Sequence, residues 1–81
     1  MTDERILEAL SRILGIVLEN DSTVLTLETR RADVPDWDSF SYVSFIVGVE
    51  SEFRMTFRVA DVESFETAGD IVQVIKATKG W

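Results

Sequence analysis

With 81 residues, no cysteine and no histidine, the chain suits one small domain and is too short for a doubly wound nucleotide-binding fold or a barrel. The missing residue types exclude disulfides, thiolate metal sites, thiol nucleophiles and the commonest general base, so intrinsic catalysis is not expected. Fifteen acidic against eight basic side chains give a net charge of −7, which argues against nucleic acid and anionic membranes and favours basic protein partners.

The chain has no apolar run long enough to span a membrane. Its start, Met1-Thr2-Asp3-Glu4-Arg5, lacks the basic segment and apolar stretch of a signal peptide. We therefore expect a cytoplasmic protein. We also expect a monomer that folds as a single domain over residues 1–81. Neither enzymatic activity nor a metal site is predicted.

The first predicted element is an amphipathic helix from Asp3 to Leu18. Asp3 and Glu4 suit the positive end of its dipole, and Thr2 is a suitable N-cap. Its apolar residues recur at the three- and four-residue spacing that places them on one face. These core residues are Ile6, Leu10, Ile13, Leu14 and Val17.

A long connection follows, from Glu19 to Trp37. The run Asn20-Asp21-Ser22 has the turn-forming residues that end a helix. Farther along, Val24, Leu25 and Leu27 are expected to tuck under the loop as an apolar anchor. A loop of this length is unusual in a small domain, and such loops tend to be functional.

The second predicted helix runs from Ser39 to Phe53. Pro35 keeps the residue before it out of helical geometry, and Asp38 is favoured over Asp36 as the N-cap. We expect this helix to be the most buried one, with its serines on the other face. The apolar residues assigned to it are Phe40, Val43, Ile46, Val47, Val49 and Phe53.

The rest of the chain predicts an extended connector, a short helical turn and a last helix. The connector would turn Met55, Phe57 and Val59 inward. The short turn spans Asp61–Phe65, and the last helix spans Ala68–Thr78. A capping box at Thr67-Ala68-Gly69-Asp70 opens that helix and Gly80 stops it. The predicted fold is all-α: three main helices, a short fourth helix, and a long loop between helices one and two.

The start of the second helix is where chemistry is expected. Ser39 stands beside unpaired backbone N–H groups at the positive end of the helix dipole, a place that favours a phosphate. Asp-Ser before an apolar run is also ordinary capping chemistry, so the residues alone leave both interpretations open. Arg30 and Arg31, the one basic cluster of the loop, either hold an anion or are solvated.

Several segments resemble the acyl and peptidyl carrier proteins. Asp38-Ser39-Phe40 is similar to the family's Asp-Ser-Leu attachment motif, with Phe in place of Leu. Phe65-Glu66-Thr67-Ala68-Gly69-Asp70-Ile71 is similar to the segment that leads into the family's final helix. Between them, the family's helix-two pattern ending in Glu-x-Glu-Phe is matched by Val43, Ile46, Val49, Glu50, Glu52 and Phe53. The resemblance covers most of the chain.

The resemblance implies a carrier rather than an enzyme. A phosphopantetheinyl transferase would move 4′-phosphopantetheine from coenzyme A to the Ser39 hydroxyl in a Mg²⁺-dependent reaction, and the arm would carry an acyl group as a thioester. Fatty acid, polyketide and related lipid or secondary-metabolite biosynthesis all fit. The alternatives are a peptidyl or aminoacyl carrier loaded by an adenylating enzyme, and an unmodified interaction module with the carrier fold. A hydrolase with Ser39 as nucleophile would lack a general base.

The resemblance also implies which residues surround Ser39. Asp38, Trp37 and Phe40 are expected beside the arm, with Trp37 either packing over the loop or lying beside the arm as a lid. Acyl-transferring, condensing or adenylating partners would dock through basic patches. Their expected contacts are Asp36, Asp38, Tyr42, Glu50, Asp61 and Glu63.

The predicted acidic surface is thin for this family. Ser41, Ser44 and Ser51 stand at positions of helix two where acids are common among carriers of fatty acid synthesis. We take this as a hypothesis that the protein is a specialised carrier rather than the housekeeping one.

Overall fold

Four α-helices form the fold: α1 (Asp3–Leu18), α2 (Ser39–Phe53), α3 (Val59–Ser64) and α4 (Ala68–Lys79). The structure is a computed structural model and describes residues 1–81. The long loop between α1 and α2 contains one 3₁₀ turn, Arg31–Asp33. No helix has both the length and the apolarity needed to cross a membrane. The all-α prediction of three main helices and a short fourth is confirmed.

Local capping chemistry sets most of the helix boundaries. The predicted bounds of α1 and α2 are confirmed, and Thr2 Oγ1 accepts a hydrogen bond from the Arg5 N–H at 3.2 Å. The capping box of Thr67 and Asp70 opens α4, which ends one residue later than predicted. The prediction for α3 was two residues late. The Arg58 carbonyl accepts from the N–H groups of both Asp61 and Val62, so the helix begins at Val59.

The core lies between α1, α2 and α4. Fifteen apolar side chains are buried in it, and Leu25, Trp37 and Phe57 come from the connecting segments. The members completely shielded from solvent include Ile6, Leu10, Leu14, Phe45, Val49, Val72 and Ile75. Because these come from distant parts of the chain, the core fixes the start of α2 relative to the loop and α4.

The prediction that the whole apolar set of α2 is buried was wrong. Phe40 is 83% exposed, and Val43 and Val47 are also exposed. These three recur at three- and four-residue spacing, so they form one outward stripe along the helix. The opposite stripe meets the core through Phe45, Ile46, Val49 and Phe53. A helix covered by neighbours on one side can bury only the stripe that faces them.

Two further inward assignments fail in the same way. Of the three residues assigned to the apolar anchor of the loop, only Leu25 is buried, whereas Val24 is 76% exposed and Leu27 lies partly in solvent. In the connector, Phe57 is buried and Val59 is exposed. A hydrogen bond from the Leu25 N–H to Ser11 Oγ, at 2.9 Å, orients the loop so that this one residue turns inward.

The long loop is tied to the first turn of α4. The Ala68 N–H donates to the Thr29 carbonyl and the Gly69 N–H donates to the Leu27 carbonyl, each at 2.9 Å. These bonds satisfy two amides that have no partner inside the helix. They also hold the segment containing Arg30 and Arg31 in place, although it lies far from α4 in sequence.

We expect Gly69→Ala to destabilise the protein by about 1–3 kcal/mol, the usual effect of forcing an extra group into a packed site. A Cβ at this position would lie 2.7 Å from the Leu27 carbonyl oxygen, a backbone atom that cannot move aside alone. Urea denaturation measures the effect. Ala77→Gly, at an exposed position of the same helix, reports the intrinsic preference of α4 for alanine. Stabilisation by Gly69→Ala would contradict the close approach.

Candidate functional site

Ser39 is the first residue of α2 and is exposed. Its hydroxyl takes no part in the hydrogen bonds that cap the helix. Asp38 Oδ1 accepts from the N–H of Phe40 at 3.1 Å and from the N–H of Ser41 at 3.0 Å. Two of the amides expected to attract a phosphate, those of Phe40 and Ser41, are therefore already occupied by the Asp38 carboxylate, which corrects the electrostatic part of the sequence argument. What remains is an accessible hydroxyl on a fixed stretch of backbone.

Ser41 closes the capping box from the other side. Its Oγ accepts from the Asp38 N–H at 2.9 Å and donates to the Asp36 carbonyl at 2.8 Å. The side chain is buried, so the expectation that Ser41 belongs to the exposed docking face was wrong. Asp36 lies just before this box with φ +69°, in the left-handed region. The hydrogen bonds of Ser41 therefore stabilise the turn that precedes the exposed Ser39.

The hydrogen bonds of the cap also change the pKa of the carboxyl group beside Ser39. Hydrogen bonds from the backbone and then the side chain of Ser41 lower the pKa of the Asp38 carboxyl below its ordinary value. Asp38 therefore stays ionised at a lower pH than an ordinary aspartate does, and it is charged at neutral pH. An anion thus stands next to the Ser39 hydroxyl.

We expect Asp38→Ala to lower the melting temperature at pH 7, because the Phe40 and Ser41 amides lose their acceptor. Asp38→Asn keeps an acceptor and should retain most of the stability. The folded pKa is depressed, so the carboxylate's contribution is present above its unfolded pKa of about 3.9 and is lost as the pH falls through the folded value. The advantage of wild type over Asp38→Asn should therefore vanish in acid. Thermal melts at pH 7 and in acid test this, and an advantage unchanged by pH would refute it.

Trp37 packs beneath the loop rather than standing free as a lid. It is only 5% exposed, with its ring edge-on to Phe45 at 5.2 Å and tilted against Tyr42 at 6.3 Å between centroids. The Nε1–H is buried and has no hydrogen-bond partner in the protein. A buried donor without an acceptor costs about 1–3 kcal/mol. The fold therefore retains an unused polar group close to Ser39.

Tyr42 joins α2 to α3. Its hydroxyl donates to the Val62 carbonyl at 2.7 Å, and the Arg31 guanidinium lies 4.9 Å from its ring centroid. Burial raises the pKa of the Tyr42 hydroxyl, an effect that the Arg31 charge partly opposes. The hydroxyl is therefore protonated and acts as a donor. Tyr42 holds the loop, α2 and α3 together one turn after Ser39.

A cavity of about 590 Å³ opens between the loop, α2 and α3. We call it the Tyr42 cavity. A narrow space of about 20 Å³ adjoins it, shares five of its lining residues and reaches Ala68 and Ile71. That inner space is large enough for only about one water-sized group. The side chains that line the Tyr42 cavity include Arg30, Arg31, Trp37, Tyr42, Glu63 and Phe65.

The residues predicted to contact partners fall into two groups. Asp36, Asp38 and Glu63 are exposed. Two others are engaged within the fold: Glu50 Oε2 accepts from the Phe57 N–H at 2.8 Å, and Asp61 forms an ion pair with Arg58 at 3.2 Å. Glu50 also lies about three helical turns from Ser39. The structure thus gathers the residues around Ser39 at one end of α2 and places Glu50 toward the other.

Phe40 was among the predicted site residues, but Val43 and Val47, which continue the exposed stripe from it, were missed. The sequence held a signal for this stripe, because the apolar residues of α2 fall into two stripes on opposite sides of the helix. A second signal was the spacing of Asp38 and Ser41, which suits a capping box with a buried polar residue.

Comparison with known proteins decides the family. The chain is 30% identical over 80 residues to an acyl carrier protein of Lactobacillus acidophilus, with 99% of this chain and 100% of that protein covered. It is 33% identical over 76 residues to an acyl carrier protein of Thermotoga maritima, with 90% and 94% covered. The chain belongs to the acyl carrier protein family. No family model matches it.

The fold agrees with that membership. The solution NMR structure of a holo acyl carrier protein from Geobacter metallireducens superimposes with a TM-score of 0.84 at 31% identity, over 93% of this chain and 86% of that one. Acyl carrier proteins are carriers rather than enzymes and work with the enzymes of acyl metabolism. In this acyl carrier protein, the capping box, the exposed apolar stripe and the Tyr42 cavity all lie around the first turns of α2.

Proposed function

We propose that Ser39 is the attachment site for a 4′-phosphopantetheine group and that the protein carries acyl intermediates as thioesters on it. The observation that carries the proposal is the exposed Ser39 hydroxyl, which is free of hydrogen bonds and flanked by Asp38 and Phe40 in an Asp-Ser-apolar sequence. The holo form named for the Geobacter metallireducens structure supports it.

The residues around Ser39 fit such a group. The hydroxyl oxygen would form a bond to the phosphorus of coenzyme A that bears the pantetheine. The pyrophosphate bond would break at the same time, and 3′,5′-adenosine bisphosphate would leave. The hydroxyl proton would pass to a base of the phosphopantetheinyl transferase, since this chain has no histidine or cysteine. Because Asp38 occupies the nearby amides, retention of the group rests on the covalent bond. When bound, the group supplies a flexible arm that ends in a thiol.

In such a carrier the helix bundle is fixed and the attached arm is mobile. A tether raises the effective concentration of its cargo at a partner's active site and removes part of the cost of bringing two reactants together. The relatives' names specify acyl carriers, which favours an acyl over an aminoacyl cargo. The cargo belongs to fatty acid, polyketide or related lipid or secondary-metabolite biosynthesis. The carrier is one domain over residues 1–81.

Partners dock on the apolar stripe of Phe40, Val43 and Val47. The stripe begins beside Ser39, and no charged residue occurs in α2 before Glu50. Such a face complements an apolar patch on the transferase and on acyl-transferring, condensing or adenylating enzymes. Basic residues at the edge of that patch would meet Asp36, Asp38 and Glu63, which are exposed around it.

We expect Val47→Ser to lower kcat/KM for phosphopantetheine transfer about tenfold, the effect of losing roughly 1.4 kcal/mol of interface contact. Val47 is 58% exposed, so the melting temperature should change little. Val24→Ser is the matched control, because Val24 is an equally apolar and even more exposed valine in the loop. Equal losses of kcat/KM in the two variants would refute docking on α2.

Acyl loading tests the proposed carrier activity. The holo protein is incubated with an acyl donor and an acyl-transferring enzyme, and its intact mass is followed. One acyl group should add to the holo form and not to the unmodified form, and neutral hydroxylamine should remove it, as expected for a thioester. Acylation of the unmodified protein, or an acyl group stable to hydroxylamine, would contradict the proposal.

A further inference from the structure

Arg31 is an unpaired cation beside the first turn of α2. Its guanidinium carbon lies 4.9 Å from the centroid of the Tyr42 ring, and the side chain makes no ion pair or hydrogen bond in the protein. We propose that Arg31 forms an ion pair with the phosphate of a 4′-phosphopantetheine group on Ser39. The inference rests on the proposed function of Ser39 and adds a residue that binds the attached group.

The position of Tyr42 brings Arg31 close to Ser39. Tyr42 follows Ser39 by three residues in α2, and residues at this spacing are neighbours on a helix surface, with about 5–6 Å between their Cβ atoms. The Cα–Cβ bond of a helical residue is also tilted toward the N-terminus, which is the end of α2 where Ser39 lies. The arginine that lies over the Tyr42 ring is therefore beside the face of α2 that carries Ser39.

The backbone of Arg31 is already fixed by the loop. Arg31 begins the 3₁₀ turn Arg31–Asp33, and its carbonyl accepts a hydrogen bond from the Val34 N–H at 3.2 Å. The residue before it, Arg30, forms a backbone bridge with Thr67. Pairing with a phosphate would therefore restrict only the side chain of Arg31, and the entropy of ordering a loop would not have to be lost.

The surroundings of Ser39 carry an excess of negative charge. Asp36, Asp38 and Glu63 are exposed and form no ion pair. A phosphodiester on Ser39 would add a further negative charge next to the ionised Asp38 carboxylate, and like charges at short distance repel. Because the Asp38 carboxylate also occupies two amides of the first turn, compensation of the phosphate charge falls to a cationic side chain.

The neighbouring arginine is less suited to this role. Arg30 forms an ion pair with Glu66 at 3.8 Å, so its charge is already compensated in part. Arg31 has no carboxylate partner, and a guanidinium presents several N–H donors in a planar arrangement that phosphate oxygens accept. Its attraction to the face of the Tyr42 ring uses the positive charge and leaves these donors available.

The test is the difference in melting temperature between the holo protein and the unmodified protein. Each variant is measured in both forms, so the effect of a substitution on the unmodified fold cancels, and intact mass verifies complete modification. We expect Arg31→Gln to lower this difference by about 2–4 °C relative to wild type, the size expected for an exposed ion pair in a small domain. The effect should disappear in about 1 M NaCl, where the Debye length is only about 3 Å.

Arg54→Gln is the matched control for the loss of one positive charge. Arg54 is also exposed and forms no ion pair, but it lies at the opposite end of α2, where it is the C-cap. This variant should keep the wild-type difference between the two melting temperatures. The ³¹P resonance of the phosphodiester is an independent measurement, and it should shift in Arg31→Gln and stay in place in Arg54→Gln.

The inference is overturned if Arg31→Gln keeps the wild-type difference in melting temperature or the wild-type ³¹P resonance, or if Arg54→Gln changes both equally. A loss that persists in high salt would also contradict an ion pair. These results are distinguishable from a failure of the proposed function. If coenzyme A and a transferase add no mass to Ser39, the carrier proposal fails and this inference falls with it. If mass is added and Arg31→Gln has no effect, only the inference fails.

Discussion

Ser39→Ala is expected to abolish the gain of 4′-phosphopantetheine while leaving the free energy of unfolding within about 0.5 kcal/mol of wild type, as is usual for surface substitutions. The variant lacks the only oxygen that the account assigns to the phosphodiester bond. The side chain is exposed and takes no part in capping α2, so its removal leaves the fold intact. Intact mass after incubation with coenzyme A, Mg²⁺ and a phosphopantetheinyl transferase measures the first effect, and urea denaturation measures the second.

Ser44→Ala is the matched control for this variant. Ser44 is also an exposed serine of α2, and it lies outside the Asp-Ser-Phe sequence. We expect it to be modified at the wild-type rate. A mass gain on Ser39→Ala would place the attachment elsewhere and contradict the assignment of the site.

The largest loss of stability is expected for Phe45→Ala. Phe45 is completely shielded from solvent and meets the edge of the Trp37 ring. Truncation of a buried phenylalanine costs about 3–5 kcal/mol, from lost apolar contact and the cavity left behind. The total stability of a small domain is only about 5–15 kcal/mol, so the urea midpoint should fall sharply.

Phe40→Ala tests which stripe of α2 is buried, from the exposed side of the helix. Phe40 is 83% exposed, and we expect its removal to change the free energy of unfolding by less than about 0.5 kcal/mol. The pair therefore separates the inner and outer stripes of one helix. Similar losses of stability in Phe40→Ala and Phe45→Ala would show that the division of α2 into two stripes is wrong.

The difference between these two phenylalanines shows where sequence reasoning stops. Helix bounds were predictable because capping is local: Asp38 and Thr67 bond amides within three residues of themselves. The burial of a residue in α2 depends on which neighbours cover it. Phe40 and Phe45 have the same side chain and lie in the same helix. Only the positions of α1 and the loop decide which of the two enters the core.

The candidate site likewise has one part that could be predicted from the sequence and one part that could not. Ser39 and its capping aspartate could be identified from adjacent residues. The Tyr42 cavity could not, because its walls come from the loop, α2, α3 and the segment after α3. The contact that brings them together is a hydrogen bond between Tyr42 and Val62, twenty residues apart. The unpartnered indole of Trp37 is likewise a property of the packed state alone.

The surface around Ser39 also revises the expected electrostatics. Sequence reasoning assigned partner recognition mainly to carboxylates, including Glu50 and Asp61. In the structure, Glu50 accepts a hydrogen bond from the Phe57 N–H, and Asp61 forms an ion pair with Arg58. The outward side of α2 offers apolar side chains instead. A net charge of −7 favours encounter with basic partners, and we propose that the apolar stripe is the contact surface.

The central claim is that Ser39 bears the prosthetic group. The most direct measurement is the intact mass of the folded wild-type protein after reaction with coenzyme A, Mg²⁺ and each of two unrelated phosphopantetheinyl transferases, followed by fragmentation to locate the added mass. We predict a gain of one phosphopantetheine on the peptide that contains Ser39. No gain with either transferase, or a gain on another residue, would contradict it and would favour an unmodified interaction module with the carrier fold.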